Sequence, residues 1–294
     1  MKKLILGFVF FSSAFINGQQ IEFLELPSLF EREFEISGMT GDATHLYLAA
    51  ERCAKVFVLD KENVALVETI ELDTSEIESL EVEGLSRYKD YLLLTDEKKG
   101  RIFSYHLKTK QLTQVNHDQP KFSKFRGNYG MEGIAIDTVA KVAYVLRERN
   151  KDNESEIHSF DISEKQAQLK FKYRNQTRLK NKNKDWRYSG IAIDQQNKRL
   201  LCIRSYYVGH ASVKNKREVH VVPIKVLKKK KTNSKILVSV SEAVFLHRNS
   251  FATNVEGIYA DMETIYITAD NGKGIKDCSQ ISKKTPLIRI EFPN

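Results

Sequence analysis

Gly-Met-Glu-Gly-Ile-Ala-Ile-Asp, residues 130–137, is the clearest copy of a pattern that occurs five times in this chain of 294 residues. Each copy has Ser or Glu, then Gly, then an alternating apolar run, a turn and a second run that ends in polar residues. The copies begin at Ser37-Gly38, Glu83-Gly84, Glu132-Gly133, Ser189-Gly190 and Glu256-Gly257. A spacing of roughly fifty residues is typical of proteins built from repeated structural units.

The third copy shows what one unit contains. Four short runs rich in β-branched and aromatic residues follow one another, separated by Asp, Asn, Lys and Ser. They cover residues 133–137, 142–146, 156–161 and 167–173. Such runs predict strands rather than helices, and four strands per repeat form the blade of a β-propeller. We therefore predict an all-β fold, a β-propeller with five four-stranded blades.

The two chain ends are expected to meet in the last blade. The fifth copy offers only three strands, at residues 256–261, 264–268 and 286–292. Residues 21–26 can supply its missing outer strand, so that an amino-terminal strand pairs with the last blade and closes the ring. A sixth blade is the alternative if residues 205–254 contain a degenerate copy.

The first eighteen residues have the pattern of a secretory signal peptide. Lys2 and Lys3 precede an apolar run from Leu4 to Phe15, and Gly18 is a small residue suited to cleavage. The apolar run is too short to cross a bilayer, and no later segment is expected to cross one. We predict a signal peptide at residues 1–18 and a single exported domain, periplasmic or extracellular, at residues 19–294.

Charge and cysteine content narrow the function only a little. The formal net charge of +9 is compatible with binding of anionic ligands or of a membrane surface, and also with a charge that only keeps the protein in solution. The densest basic cluster, residues 228–231, lacks interleaved aromatic residues, so nucleic-acid binding is not expected. Cys53, Cys202 and Cys278 allow at most one internal disulfide bond. For Cys53 and Cys202, which lie in or beside second strands, we favour ordinary packing.

If the five units are equivalent, the residues before the motif glycines face one central channel. These residues are Ser37, Glu83, Glu132, Ser189 and Glu256. Three carboxylates in a narrow channel repel one another and lose hydration, so at least one would be protonated without compensation. A hard cation removes this conflict, and Ca²⁺ is bound by carboxylate, carbonyl and water oxygens. We predict that this axial ring binds Ca²⁺; a solvated channel without a metal is the alternative.

A second group of polar residues follows the second strands and would gather at one mouth of the channel. Glu97, Glu148 and Asp270 are the candidate catalytic residues, because carboxylates can act as general acids and bases. The candidate substrate-binding residues are Glu51, Arg52, Asp96, Arg147, Arg149, Arg204 and Asn271. Arginine suits bidentate binding of phosphate or carboxylate, so the expected partner is a small anionic substrate. Ion pairing among these side chains is the alternative.

At these residues the chain resembles the phytase-like propeller family, described as "esterase-like activity of phytase". The resemblance rests on four segments in order: Ile36-Ser37-Gly38 with Glu51-Arg52, Val82-Glu83-Gly84 with Asp96-Glu97, Tyr129-Gly130-Met131-Glu132-Gly133 with Glu148, and Val255-Glu256-Gly257 with Asp270-Asn271. It covers nearly the whole mature chain. It implies an exported propeller, and the family's description implies hydrolysis.

The chain is also similar to calcium-activated nucleotidases of the apyrase type, which are five-bladed propellers with an axial calcium. Their ring order of Ser, Glu, Glu, Ser and Glu matches the axial ring, and this similarity implies Ca²⁺ as the cofactor. Their Asp-Asp-Arg stretch is replaced here by Ala50-Glu51-Arg52, and their Pro-Arg-Arg stretch by Leu-Arg-Glu-Arg at residues 146–149. The metal ring therefore carries over better than nucleotide hydrolysis does.

Two functions are compatible with these residues, and the sequence does not decide whether the protein is an enzyme. The first is a calcium-dependent hydrolase of a phosphate ester or anhydride, or of another small anionic ester. In it, Glu97 or Glu148 activates water and Arg52, Arg147, Arg149 and Arg204 hold the anion. The second is a non-catalytic propeller that binds a ligand or protein and contains a structural calcium. A sugar or lactone hydrolase fits the axial serines poorly.

Overall fold

The computed structural model describes residues 13–16, 19–31, 34–119, 130–166, 168–181, 183, 185–206, 215–240, 254–269 and 285–292. Their regular structure consists of strands and two short 3-10 turns, Ser28–Glu31 and Ile224–Val226. Within this part of the chain, no helix has the length and apolar character needed to span a membrane.

The strands form five antiparallel sheets, which are the five blades of a β-propeller. Before the first blade come β1 (Ser13–Ile16) and β2 (Gln19–Leu24). The first blade contains β3 (Ile36–Gly41), β4 (His45–Ala50), β5 (Lys55–Asp60) and β6 (Leu66–Glu71). The second blade contains β7 (Val82–Tyr88), β8 (Tyr91–Asp96), β9 (Arg101–His106) and β10 (Leu112–Gln114).

The third blade has the longest strands. After β11 (Asn116–His117) come β12 (Met131–Asp137), β13 (Val142–Arg147), β14 (Ser155–Lys165) and β15 (Gln168–Leu179). The fourth blade contains β16 (Trp186–Asp194), β17 (Arg199–Tyr206), β18 (Lys216–Pro223) and β20 (Lys235–Ser239), with β19 (Lys231–Thr232) between them in the chain. The two-residue strands β11 and β19 pair in parallel with β15.

The fifth blade joins the two ends of the chain, as predicted. It contains β21 (Val255–Asp261), β22 (Thr264–Ala269) and β23 (Leu287–Glu291), and β2 is its outer strand. Glu22 of β2 lies opposite Arg289 of β23, and their side chains form an ion pair. Strand β1 pairs with the free edge of β2. Cleavage after Gly18 would therefore leave this blade with the same four strands as the others.

Hydrophobic side chains fill the spaces between adjacent blades. Between the first and second blades, for example, Tyr47 and Val58 belong to the same buried cluster as Leu92 and Phe103. Equivalent clusters join the second blade to the third, the third to the fourth, the fourth to the fifth and the fifth to the first. Burial of this apolar surface stabilises the ring and fixes the inner strands around one axis.

The motif glycines allow the inner strands to approach one another at this axis. A Cβ atom at Gly84 would collide with the Cα of Gly133, and one at Gly190 would collide with the carbonyl oxygen of Glu256. Such contact between backbones is a common reason for glycine within a strand. The innermost strands are therefore in close backbone contact at the axis.

Cys53 and Cys202 differ in oxidation state. Cys53 takes part in a disulfide bond, so the prediction of ordinary packing was wrong for this residue. Cys202 is a free, fully buried thiol, which confirms that prediction for the second residue. Cys278 lies outside the described residues.

Candidate functional site

Every innermost strand carries its axial-ring residue at a β-bulge. The register against the second strand shifts at Ser37 in β3, Glu83 in β7, Glu132 in β12, Ser189 in β16 and Glu256 in β21. A bulge inserts one extra residue and changes the direction of its side chain. The five ring positions are thus equivalent in backbone geometry as well as in sequence.

The three ring glutamates are buried at the centre of the propeller. Glu83, Glu132 and Glu256 are between 6 and 9% exposed. Together with Ser37 they line a cavity of about 10 Å³, which leaves room for a water molecule or a single ion. Side chains from different blades therefore meet on the axis, as the repeat pattern predicts.

The two ring serines connect neighbouring blades. The Ser37 hydroxyl donates a hydrogen bond to the carbonyl oxygen of Val82, next to Glu83. The Ser189 hydroxyl donates one to the carbonyl oxygen of Val255, next to Glu256, over 2.7 Å. These bonds hold the bulges in place and leave the negative charge of the ring to the glutamates.

The electrostatic environment of the ring strongly favours protonation or a bound cation. Burial raises the pKa of Glu83 well above its ordinary value, and the carboxylates of Glu51, Glu256 and Glu132 raise it further. Burial also raises the pKa of Glu132, and Glu148 and Glu97 add to this effect. The carboxylates shift one another because they are close together and lack water.

An apolar ring closes the channel below the glutamates. Two residues after each ring position the inner strands place Met39, Leu85, Ile134, Ile191 and Ile258, which line the small axial cavity. The same five side chains also line a larger cavity of about 470 Å³ on their other side. The larger cavity contains none of the ring carboxylates, so we place the candidate site at the acidic end of the channel.

Glu97 and Glu148 lie above the ring, at the end of the channel that we call the acidic mouth. The backbone N–H of Glu148 donates to the carbonyl oxygen of Gly130 over 3.1 Å. The side chain of Glu97 covers Gly130 so closely that a Cβ atom there would collide with its Cγ. Burial and the charges of Glu148 and Glu51 raise the pKa of Glu97 to about 7. A carboxyl group with this pKa can accept a proton at neutral pH.

Arg187 is a site residue that the sequence analysis did not identify. Its Nη1 lies 2.8 Å from Oε1 of Glu148, and its Nη2 lies 3.1 Å from Oδ1 of Asn254. Burial acts to lower the pKa of Arg187, but the charges of Glu148, Glu132 and Glu256 outweigh this and raise it. A signal for this layer exists in the sequence. Arg187 lies two residues before Ser189 in β16, and Asn254 lies two residues before Glu256, just before β21.

The candidate arginines have partners within the protein. Arg52 pairs with Glu51 and Glu35, and Arg149 lies within 3.1 Å of Glu148. Arg147 pairs at 2.9 Å with Glu156, which belongs to the third strand of its blade. The guanidinium of Arg204 lies over the ring of Trp186, 4.2 Å from its centroid. The structure therefore brings Arg52 and Arg149 to glutamates of the mouth, whereas Arg147 and Arg204 contact residues within their blades.

The remaining candidates are divided in the same way. The charge of Glu51 acts on both Glu83 and Glu97, which places it in the acidic cluster. Asp96 is fully buried and pairs with Arg101 at 2.7 Å, a contact within the second blade. Asp270 and Asn271 lie outside the described residues.

The donors on the axis fit Ca²⁺ in kind. Burial and neighbouring carboxylates raise the pKa of Glu83 and of Glu132, so a divalent cation would stabilise their ionised forms, and Ca²⁺ prefers carboxylate and water oxygens. Among the described residues, no three His, Cys, Asp or Glu side chains are positioned to hold a metal ion directly. The protein would therefore supply part of the ligand shell, and water would complete it.

Comparison with known proteins identifies a family and a fold. Residues 37–272 match the phytase-like family described as "esterase-like activity of phytase". A search of curated proteins finds no match. Among solved structures, glutaminyl cyclase from Myxococcus xanthus is 11% identical with a TM-score of 0.54, over 93% of this chain and 97% of the cyclase. A PQQ-bound aldose sugar dehydrogenase from Streptomyces coelicolor is 12% identical with a TM-score of 0.48, over 93 and 98%. At 11% identity, the likeness to the cyclase shows the fold alone.

Proposed function

This chain belongs to the phytase-like family described as "esterase-like activity of phytase", and on that premise we propose that it is an exported, calcium-binding propeller that hydrolyses a phosphate ester or anhydride, or another small anionic ester. The observation that carries the proposal is the set of three buried carboxylates that β-bulges direct to one axis. Buried carboxylates without a matching cation are costly, so their concentration at one channel mouth argues for a bound cation and for function.

In this proposal Glu83, Glu132 and Glu256 hold the cation together with water molecules, and Ser37 and Ser189 complete the ring. When bound, Ca²⁺ would compensate their charge and could polarise an anionic substrate. The raised pKa of Glu83 and of Glu132 supports this assignment, because a cation nearby would restore their ionised forms. The hydroxyls also orient the neighbouring strands through their hydrogen bonds to Val82 and Val255.

Glu97 is the best candidate for the general base. Its pKa of about 7 makes it able to accept a proton from water near neutral pH. Glu148 already accepts hydrogen bonds from Arg149 and Arg187, which suits a role in orientation more than in proton transfer. Asp270 and Asn271 stay candidates on the strength of the sequence alone.

A non-catalytic binding module with a structural calcium is the second candidate. The observation in its favour is that Arg52, Arg147 and Arg149 pair with glutamates of the protein, and an anionic substrate would have to compete with those partners.

Two features support export. The pattern of residues 1–18 predicts a signal peptide, and Cys53 is disulfide-bonded. Disulfide bonds persist mainly in oxidising compartments such as the periplasm and the extracellular space. Amino-terminal sequencing of protein recovered from the periplasm or medium tests this part. A mature amino terminus near residue 19 is expected, and an intact Met1 in a cytoplasmic protein would contradict it.

The activity is tested with purified mature protein and two chromogenic substrates, a phosphate monoester and a carboxylate-bearing ester, with added calcium and with chelator. We expect calcium-dependent turnover that falls about a hundredfold in Glu97→Gln. Glu78→Gln is the matched control, since Glu78 is an exposed glutamate before the second blade paired with Lys99.

Glu148→Gln separates the two candidate functions. If Glu148→Gln still binds the substrate but no longer turns it over, this favours an enzyme. If neither wild type nor any variant shows turnover, although a ligand is bound, this favours the binding module.

A further inference from the structure

The acidic mouth contains a positive charge placed where it can act on the axial ring. Arg187 lies two residues before Ser189 in β16, and its guanidinium spans three blades. It contacts Glu148 of the third blade at 2.8 Å and Asn254, just before β21 of the fifth blade, at 3.1 Å. Asn254 in turn lies two residues before Glu256. The guanidinium is therefore held one layer above the ring by partners from both neighbouring blades.

The charge of Arg187 reaches the ring glutamates. Glu132 and Glu256 are among the carboxylates that act on Arg187, and Arg187 is the cation that partly offsets the repulsion felt by Glu132. Glu83 has no such cation among its main electrostatic neighbours, which are Glu51, Glu256, Glu132 and Glu97. Compensation is thus uneven around the ring, and it is concentrated on the side of Glu132 and Glu256.

We propose that Arg187 is an internal counter-cation of the axial ring that sets its affinity for divalent cations. Without metal, its charge compensates part of the ring's negative charge. A divalent cation that enters the ring must bind beside this fixed positive charge, and the repulsion between them lowers the affinity. Arg187 thereby keeps the ring folded when calcium is scarce and makes calcium binding weaker and more reversible. This inference rests on the calcium site of the proposed function.

The sign of the effect distinguishes this role from that of a purely structural arginine. Loss of a structural arginine weakens the site it supports, whereas loss of a competing charge strengthens cation binding. Over the distance of one layer of side chains, removal of one positive charge is expected to raise calcium affinity on the order of tenfold. The same change should make the metal-free protein less stable.

The experiment is calcium titration by calorimetry, combined with melting in chelator and in calcium, for mature wild-type protein and three variants. Arg187→Gln should bind Ca²⁺ about tenfold more tightly, melt lower in chelator and show a larger calcium-induced rise in Tm. Arg187→Lys keeps the charge and should stay close to wild type. Arg149→Gln is the matched control, because Arg149 pairs with the same Glu148 but is not among the main charges that act on Glu83 or Glu132.

The outcomes separate this inference from the proposed function. If wild type binds Ca²⁺ and Arg187→Gln binds it equally or more weakly, the counter-cation role is wrong and the calcium site stands. If only Arg187→Gln binds Ca²⁺, the counter-cation role is supported. If neither binds, both proposals fail. Should Arg187→Gln not fold because Glu148 loses a partner, the Glu148→Gln/Arg187→Gln double variant replaces it. That protein should bind Ca²⁺ about tenfold more tightly than Glu148→Gln does, and equal affinities would overturn the inference.

Discussion

Two groups of buried glutamates in this propeller have opposite pKa shifts. In the third blade, burial acts to raise the pKa of Glu156, but hydrogen bonds from His158, Asn150 and Arg147 outweigh it and lower this pKa to about 2. On the axis, burial and neighbouring carboxylates raise the pKa of Glu83 well above its ordinary value. The fold supplies donors and a cation for the first carboxylate and leaves the second to face other carboxylates.

A buried pair of glutamate and histidine occurs in the third and fourth blades, and we call these pairs with their neighbours the outer networks. Glu156 and His158 in β14 correspond to Glu218 and His220 in β18, and each glutamate lies opposite an arginine of the second strand. In the fourth blade, His220 contacts Glu218 at 2.8 Å and the Ser234 hydroxyl at 2.7 Å. Such closed networks fix a blade internally. A buried charge stabilises the fold where the protein itself supplies the hydrogen-bond and ion-pair partners. Where those partners are lacking, a buried charge indicates a binding site.

The largest effect is expected from a substitution that disrupts the outer network of the third blade. Glu156→Gln removes the charge that pairs with Arg147 and should lower the free energy of unfolding by about 3–5 kcal/mol, because it leaves a buried cation without its partner. Urea denaturation measures this. Glu71→Gln is the control, since Glu71 pairs with Lys55 at the surface and should change little. A loss below about 1 kcal/mol for Glu156→Gln would show that the network is not stabilising.

The same type of substitution, Glu to Gln, on the axis should change the free energy of unfolding in the opposite direction. Glu83→Gln removes a carboxylate that is repelled by Glu51, Glu256 and Glu132, so in chelator the free energy of unfolding should rise by about 2 kcal/mol. The rise in Tm caused by calcium should shrink or vanish. Melting curves with chelator and with calcium measure both effects. Lower stability in chelator would mean that Glu83 is satisfied in the metal-free protein.

The pH dependence of stability should separate the two groups. Between pH 4.5 and about 7, folded Glu97 keeps a proton that the unfolded chain releases, so the contribution of Glu97 to stability should fall as the pH rises through this range and level off above it. Glu156 behaves in reverse. Its contribution is present above pH 4.5 and is lost as the pH falls towards 2.

Thermal melting in chelator from pH 2 to 8 tests these slopes. In Glu97→Gln the fall between pH 4.5 and 7 should be reduced by about 2 kcal/mol, while the acid limb stays unchanged. Identical profiles for the variant and wild type would refute the assignment of a raised pKa to Glu97.

The smallest expected effect concerns the fourth-blade network. Ser234→Ala removes a hydroxyl that lies 2.7 Å from Nδ1 of His220 and 2.5 Å from the hydroxyl of Tyr188. The free energy of unfolding should fall by about 1 kcal/mol. Ser163→Ala is the matched control, because Ser163 makes only a long contact at an exposed position. Equal small losses in both variants would show that the network is not cooperative.

The repeat pattern was sufficient to predict the fold. The Ser/Glu-Gly motif fixes the inner strands, and the alternating runs predict the other strands, so the blade count and the closure by the amino-terminal strand are confirmed. Closure uses Gln19–Leu24 rather than residues 21–26, because pairing with β23 depends on register, which the hydrophobic pattern of a single edge strand specifies weakly.

The site was harder to predict than the fold. Ring positions follow from the repeats, but the β-bulges depend on backbone register and cannot be seen in single-strand patterns. Polar residues after the second strands alternate between faces. Glu148 therefore reaches the mouth while its neighbour Arg147 turns towards Glu156. Arg187 was missed because the residue two positions before the ring residue varies from blade to blade, so no repeated residue type marks this layer. These residues are Glu35, Glu81, Gly130, Arg187 and Asn254.

The pairing of β2 with β23 also has a consequence for biosynthesis. Strand β2 is synthesised before the first blade, and its partner β23 is synthesised after the rest of the fifth blade. Until β23 emerges, the first and fifth blades cannot seal against each other, and the nascent chain is an open arc. The finished circle, and with it the enclosed carboxylate ring, forms only once β23 has been synthesised.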